Sequence, residues 1–252
     1  MNIQDLTCSQ DSYFAKEYER IFIGNFGRNA HYKNIIAHLA KNKYATKEKI
    51  EQALKIGSGG RTTHYLENLE LSGFIESFEP IDASVDTKLR RYRIIDNYLL
   101  FYFRFIKPKL SFLKKSKGAV SLNKLISEQQ YSIWRGLAFE QFCYNHHFLI
   151  AKKLGFSGVR YDCGPYYKRA DIKSGTQVDL LFKRADNVIS LCEVKWRKNL
   201  QAKQVASDIE KKREQISNLR YHHVETVLIS AYPVPMEFHE YFNQIITVPE
   251  LF

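Results

Sequence analysis

Two segments of the chain combine acidic and basic side chains at the spacing of a β-strand. Gln177–Phe182 contains Asp179, and Leu191–Trp196 contains Glu193 and Lys195. Side chains two residues apart in a strand share a face, so Glu193 and Lys195 point the same way from a mostly apolar strand. A tight turn between the two segments would bring Asp179 beside Glu193. Because burying unpaired ions is costly, this cluster indicates a functional role.

The chemistry that these residue types support is metal-assisted attack on a phosphate. Carboxylate oxygens are ligands for Mg²⁺ or Mn²⁺, and we predict that Asp179 and Glu193 hold such an ion. The ion would activate water and stabilise charge on the phosphate, while Lys195 orients the water or stabilises the phosphate. The alternative is a salt bridge from Lys195 to Glu193 or Asp179 at a sheet edge, with no catalytic role.

Strands that alternate with helices surround this cluster and predict an α/β domain with a mixed sheet. A polar loop is expected over Pro165–Thr176 and a turn over 184–187. The predicted elements are helices over 128–154, 203–219 and 238–242, and strands over 177–182, 188–196, 224–230 and 245–248.

The first hundred residues predict three short helices followed by a two-stranded ribbon, which is the outline of a winged helix. Thr46 is the expected N-cap of the second helix, and Gly73 ends the third. The predicted elements are helices over 34–42, 47–54 and 61–71, strands over 74–78 and 89–95, and a hairpin tip over 82–88.

If this winged helix binds DNA, its third helix and its wing carry the contacts. Arginine and lysine on phosphates provide affinity, and helix side chains in the major groove provide specificity. The alternative is a protein–protein module, because residues 1–100 carry a balance of only +1. The predicted DNA contacts are Arg61, Thr62, His64 and Asn68 in the helix, Lys88, Arg90, Arg91 and Arg93 in the wing, and Arg197 in the second half.

The net charge of +11 is concentrated in the middle of the chain. Residues 101–200 hold 19 basic and 7 acidic side chains, a balance of +12, whereas residues 201–252 have a balance of −2. Such a concentrated field suits a polyanion such as DNA, and a solvated basic surface is the alternative. The lysine-rich stretch predicts a basic linker over 111–124, between a domain over 1–110 and a second over 125–252.

Composition excludes several other classes of protein. The chain is 44% hydrophobic and 26% charged, as in folded proteins. It has no apolar run of the roughly 20 residues that a membrane span needs, and no signal peptide is visible. The four cysteines are scattered, with no CxxC pair, so we expect reduced thiols in a cytoplasmic protein and no membrane partner.

The Asp…Glu-x-Lys arrangement resembles the PD-(D/E)XK nuclease fold, in which a hairpin brings an Asp and an E-x-K together beside a metal. That resemblance implies two further residues. A glutamate on the upstream helix often completes the acidic site, and this position corresponds to Glu140. A Gln or basic residue on the next helix often assists, and Gln204 is the candidate.

Longer strings resemble the C-terminal half of archaeal-type AAA-family ATPases of bacteria and archaea. Residues 14–22, and Ser58–Gly60 with Tyr65–Leu69, are similar to segments that include their winged helix, while Trp134–Glu140 and Gln177–Lys195 are similar to their nuclease-like domain. The resemblance implies an α+β protein of two domains, a winged helix and a PD-(D/E)XK-like domain. It also implies an ATPase domain as partner, in cis or in trans.

This chain is not expected to bind ATP. A P-loop requires GxxxxGK[ST], and Gly57–Thr63 has Arg61 where the lysine belongs and follows a predicted helix. The leading prediction is therefore a DNA-associated module of such an ATPase with an Mg²⁺-dependent nuclease site. The alternative is an inactive module that binds DNA or protein and regulates an ATPase.

Overall fold

The computed structural model describes residues 13–42, 44–57, 59–79, 81, 90–115, 122–167, 177–216 and 222–251. The chain divides into two compact units, Met1–Phe78 with Thr87–Trp134, and Glu79–Asp86 with Arg135–Phe252. The protein is of the α+β type, with a helical first unit and a second unit built on a five-stranded mixed sheet.

Helices dominate the first unit, and their ends follow local signals. The side chain of Thr46 accepts a hydrogen bond from the backbone N–H of Lys49 at 3.4 Å, so it caps the helix that begins at Lys47, as predicted. The elements are α1 Tyr13–Phe26, α2 Ala30–Lys41, β1 Ala45–Thr46, α3 Lys47–Leu54, α4 Gly60–Leu71, β2 Ile75–Phe78, β3 Arg91–Ile94 and α5 Asn97–Phe101.

A small antiparallel sheet with the order β1-β3-β2 closes this helical unit. Ile75 pairs with Ile94 and Ala45 pairs with Tyr92, so strand β3 lies between the other two strands. The predicted hairpin tip over 82–88 lies outside the described residues.

The segment Asn97–Lys109, which follows β3 and is rich in aromatic residues, is helical throughout but changes its helical geometry twice. After α5 come a π-helical turn, Tyr102–Ile106, and a 3₁₀ turn, Lys107–Lys109. Helices α6 Leu110–Lys115 and α7 Leu122–Leu125 follow. Leu113, in the predicted linker, belongs to this unit's core and is 1% exposed, as is Leu125 just after the linker. The division between the units falls after Trp134.

The second unit has five strands in the order β4-β5-β6-β7-β8. Strands β4, β5 and β6 are antiparallel neighbours, whereas β7 and β8 continue the sheet in parallel with β6. Helix α8, Glu128–Asn145, belongs to the second unit from Arg135 onward. The other elements are α9 His147–Lys153, β4 Tyr161–Tyr167, β5 Gln177–Arg184, β6 Val188–Lys195, α10 Ala202–Gln215, β7 His223–Ser230 and β8 Gln244–Thr247, with a 3₁₀ turn over Met236–Glu240 and another over Val248–Leu251.

Each face of this sheet has its own apolar core. On one face, Cys192 and Val194 of β6 pack with residues of α8 and α9, such as Phe139. On the other face, Leu191 of β6 packs with residues of α10, such as Ile209. Alternating residues of β6 therefore face opposite layers, as the two-residue period of a strand requires.

Two predicted elements of this unit differ from the structure. The predicted loop over Pro165–Thr176 begins as strand, because Pro165 lies inside β4; residues 168–176 lie outside the described part. Proline lacks an N–H donor and is tolerated here because β4 is an edge strand. The predicted helix over 128–154 is broken at His146, which caps α9 with non-helical backbone angles. In the described part of the chain, no helix has the length and apolar character needed to cross a membrane.

Candidate active site

Glu193 is the centre of the site, and its carboxylate holds two ammonium groups. The residue is 1% exposed. The Nζ of Lys195 donates to its Oε1 at 2.5 Å, and the Nζ of Lys212 donates to its Oε2 at 2.5 Å. The side chains of Lys195 and Lys212 are 28% and 23% exposed, so the ammonium partners of the buried Glu193 lie near the protein surface. Charge-assisted bonds are stronger than hydrogen bonds between neutral groups.

Two different elements position these lysines. Lys195 lies two residues after Glu193 in β6 and so shares its face. Lys212 lies three residues after Ile209, a core residue of α10, and residues three apart lie on one side of a helix. Helix α10 packs on the face of β6 that Leu191 and Glu193 share, so Lys212 contacts Glu193 from the helical layer on that face.

Asp179 lies at the same end of the hairpin between β5 and β6 as Glu193. Leu180 of β5 pairs with Cys192 of β6. Asp179 directly precedes Leu180, and Glu193 directly follows Cys192. The register of β5 with its other neighbour is irregular at this point. Gly164 pairs with Leu181 but Tyr166 pairs with Val178, so Asp179 falls in the irregularity. Such bulges bend a strand and re-aim its side chains, and they are frequent beside active sites.

Glu140 on α8 contributes to the electrostatics of the cluster. Burial lowers the pKa of the Lys195 ammonium, but Glu193 beside it, with Asp179 and Glu140 adding to the field, raises that pKa above its usual value. Burial, followed by the fields of Glu140 and Asp179, also raises the pKa of Cys143 well above its usual value. The three carboxylates therefore act on one region, in which Lys195 stays protonated at neutral pH.

The donor chemistry of this region fits a hard divalent cation. Asp179, Glu193 and Glu140 offer carboxylate oxygens, which Mg²⁺ and Mn²⁺ prefer. No three His, Cys, Asp or Glu side chains within the described ranges stand together as a metal-binding group. In the arrangement seen, Lys195 and Lys212 supply the positive charge that balances Glu193.

Two other residues of the second unit were singled out in the sequence. Gln204 is exposed on α10, where its amide donates to Asp208 Oδ1 at 2.9 Å. The basic residue of this helix that contacts the E-x-K pair is Lys212, which the sequence analysis missed; its spacing from Ile209 was the available signal. Arg197 is exposed just after β6.

The predicted DNA contacts in α4 are divided between surface and core. Arg61 and His64 are exposed, and His64 lies 3.2 Å from the amide nitrogen of Asn68. Thr62 is 0% exposed, so the prediction that it contacts DNA is wrong. It lies four residues before Leu66, on the helical face that packs into the core.

The predicted contacts in the wing are partly engaged within the protein. Arg91 stacks on the ring of Tyr44, with its guanidinium carbon 4.3 Å from the ring centre. Arg90 is partly buried, and Lys88 lies outside the described residues. The Nε of Arg93 donates to Glu76 Oε1 at 2.6 Å, so both arginines of β3 make contacts within the protein.

The fold and site define a two-unit α+β protein with a carboxylate–lysine cluster on its mixed sheet. Residues 102–225, which include Glu140, Asp179 and the E-x-K pair, match the family DUF234, described as archaeal and bacterial proteins of unknown function. The chain is also similar to an uncharacterized protein of Methanocaldococcus jannaschii, with 30% identity over 209 residues. That alignment covers 80% of this chain and 44% of the relative, so the chain spans less than half of the relative's length.

Proposed function

We propose that the second unit is a PD-(D/E)XK-type nuclease domain that hydrolyses phosphodiester bonds of DNA with the help of Mg²⁺ or Mn²⁺. The observation that carries the proposal is the bond between Lys195 and the buried Glu193, at the end of the hairpin where Asp179 directly precedes Leu180, the first residue of β5 that pairs with β6. A buried carboxylate paired with lysine in a cluster of ionisable groups is a feature of functional sites.

Each side chain has a separate role in this reaction. Asp179 and Glu193, joined by Glu140, would hold the cation, which supplies Lewis-acid stabilisation of the phosphate and a more acidic bound water. Lys195 keeps its proton, because its pKa is raised. It therefore stabilises the negative charge that develops on the phosphate and does not act as a general base.

For the first unit we propose a winged helix that binds DNA. The order of elements from α2 to β3, with a three-stranded sheet of order β1-β3-β2, supports this assignment. The exposed Arg61 and His64 of α4 would face the duplex, with Arg61 on phosphate.

We also propose that the chain works with an AAA-type ATPase domain, in cis or in trans. The resemblance of its sequence strings to the C-terminal half of such ATPases supports this. The alignment covers 44% of the relative from Methanocaldococcus jannaschii, so the remainder of that protein, more than half of its length, is long enough to contain a further domain.

A second function is favoured by the position of Lys212. Both oxygens of Glu193 are bound to ammonium groups, which balance its charge without a metal ion. A module of this kind would bind the phosphates of DNA through its two lysines and regulate an ATPase without cleaving DNA.

The test is cleavage of labelled single- and double-stranded DNA with Mg²⁺ and with Mn²⁺. The proposed nuclease predicts cleavage that requires the cation and is lost in both Glu193→Gln and Asp179→Asn. The matched control is Glu210→Gln on α10, an exposed carboxylate whose Oε1 lies 3.5 Å from Nη1 of Arg213. Cleavage that survives in Glu193→Gln would refute the site, whereas DNA binding without any cleavage would establish the second function.

A further inference from the structure

The carboxyl ends of the parallel strands β6 and β7 release two chain segments side by side. Lys195 pairs with Ser230, and the backbone N–H of Ala231 donates to the carbonyl oxygen of Lys195 at 3.0 Å. Trp196 and Tyr232 follow directly. In sheets of this kind, ligands bind outside the carboxyl ends of the strands.

Trp196 and Tyr232 form an aromatic pair that packs against Phe139 through the Trp196 ring. Their ring centres are 5.6 Å apart with the planes at 67°, and Trp196 packs edge-on against Phe139 at 5.4 Å. The backbone N–H of Tyr232 donates to Ser230 Oγ at 3.2 Å. The rings are therefore fixed by the core although both residues remain partly exposed.

Positive charge lies next to this pair on the segment that follows β6. Residues 196–207 contain three basic side chains and no acidic one, and residues 231–236 contain no charged side chain. The Nζ of Lys198 lies 5.4 Å from the centre of the Tyr232 ring, and Arg197 and Lys198 are both exposed. A cation beside an aromatic face suits a ligand that carries both a phosphate and a planar base.

We propose that Tyr232, Trp196 and Lys198 form a subsite for one unpaired nucleotide of single-stranded DNA. The base stacks on the Tyr232 ring, and the adjoining phosphate meets Lys198 and Arg197. Bases inside a duplex do not offer their faces to a protein, so the subsite selects single strands, flaps or frayed ends. Because Trp196 directly follows Lys195, the last paired residue of β6, the subsite lies at the same end of this strand as the carboxylate–lysine cluster. Trp196 packs with the core on the α8 face of the sheet, whereas Glu193 and Lys195 face α10. The inference rests on the proposed action of this domain on DNA and names its substrate class.

The experiment measures equilibrium binding of a dye-labelled dT oligonucleotide of about ten nucleotides, within the range that single OB-folds cover, and of a duplex of equal length. It uses the full chain with Glu193→Gln, in EDTA and at fixed salt. Tyr232→Ala is expected to weaken single-strand binding about tenfold or more, the usual effect of removing one stacking ring, and to change duplex binding little. Tyr232→Phe is expected to retain the affinity, because it keeps the aromatic face.

Two further variants make the result decisive. Tyr232→Leu fills the same region with an apolar side chain and should also lose affinity, which separates stacking from a packing defect. Phe148→Ala removes an aromatic ring that is 54% exposed elsewhere in the unit and should leave binding unchanged. Unchanged single-strand binding in both Tyr232→Ala and Tyr232→Leu, or an equal loss for duplex, would overturn the subsite. Since no cation is present, this outcome is independent of whether the domain cleaves DNA.

Discussion

Lys212 donates to Oε2 of Glu193 at 2.5 Å, and this bond ties helix α10 to strand β6. Lys195 binds the other oxygen of the same carboxylate. Glu193 thus has two counter-ions from different elements, and one of them, Lys212, belongs to α10, the helix that connects the parallel strands β6 and β7. The charge state of Glu193 and the packing of α10 on the sheet are therefore linked.

Replacement of Lys212 by methionine tests this link. The change removes one partner of a buried carboxylate, so we expect a loss of about 2 kcal/mol in the free energy of unfolding, measured with urea. It also removes a cation that competes for Oε2, so Mn²⁺ is expected to bind several-fold more tightly in calorimetric titration. Lys211→Met, an exposed neighbour on α10, is the control and should change neither quantity. An unaltered stability in Lys212→Met would contradict the ion pair.

The two lysines together predict an unusual order of stabilities. In Lys195→Met/Lys212→Met, Glu193 stays buried without a counter-ion, which costs about 3–5 kcal/mol. In Glu193→Gln the charge is gone, and both lysines reach water because each is about one quarter exposed. The double variant should therefore be less stable than Glu193→Gln, and adding Glu193→Gln to it should restore stability in urea unfolding. A triple variant no more stable than the double would show that Glu193 is not held by these charges.

The parts of the fold that the sequence predicted well depend on local signals. Thr46 caps α3 because its side chain reaches the N–H of Lys49, only three residues away. The spacing of Lys212 from Ile209 places both on one side of α10, but the contact of Lys212 with Glu193 depends on how α10 packs on the sheet. Strand β4 was missed because Pro165 indicates a loop unless the strand is known to be an edge strand.

The error at Thr62 has a similar cause and suggests a stability test. Its hydroxyl is buried and has no hydrogen-bond partner in the described part of the chain. Thr62→Val replaces this hydroxyl by a methyl group of similar size, so we expect a gain of about 1 kcal/mol in thermal or urea unfolding. The matched control is the neighbouring Thr63→Val, which removes the acceptor of a 2.7 Å bond from Lys47 and should not stabilise the protein. A loss of stability in Thr62→Val would mean that the hydroxyl is satisfied.

His147 predicts part of the pH dependence of stability. Its Nδ1 lies 3.0 Å from the hydroxyl of Tyr161, and burial lowers its pKa. The folded state therefore disfavours the proton that the unfolded chain binds below about pH 6.5. Stability from this group is fully present above that pH and falls as the pH drops through it. We expect His147→Gln to flatten the decline in urea-unfolding free energy between pH 7.5 and 5.5, whereas the exposed His239→Gln should leave it unchanged. Parallel pH profiles for wild type and His147→Gln would contradict the assignment.

Arg61 and Arg93 separate DNA binding from folding in the first unit. Arg61 is exposed on α4, whereas Arg93 donates to Glu76 Oε1 at 2.6 Å and lies over the Phe78 ring. If Arg61 contacts phosphate, Arg61→Ala should weaken binding of all DNA sequences alike and reduce the slope of log K against log salt by about 1. Arg93→Ala should instead lower the melting temperature and leave the salt slope unchanged. Binding is measured by fluorescence anisotropy of the full chain on duplex DNA over a series of salt concentrations. An unchanged slope in Arg61→Ala, with the fold intact by circular dichroism, would remove α4 from the DNA interface.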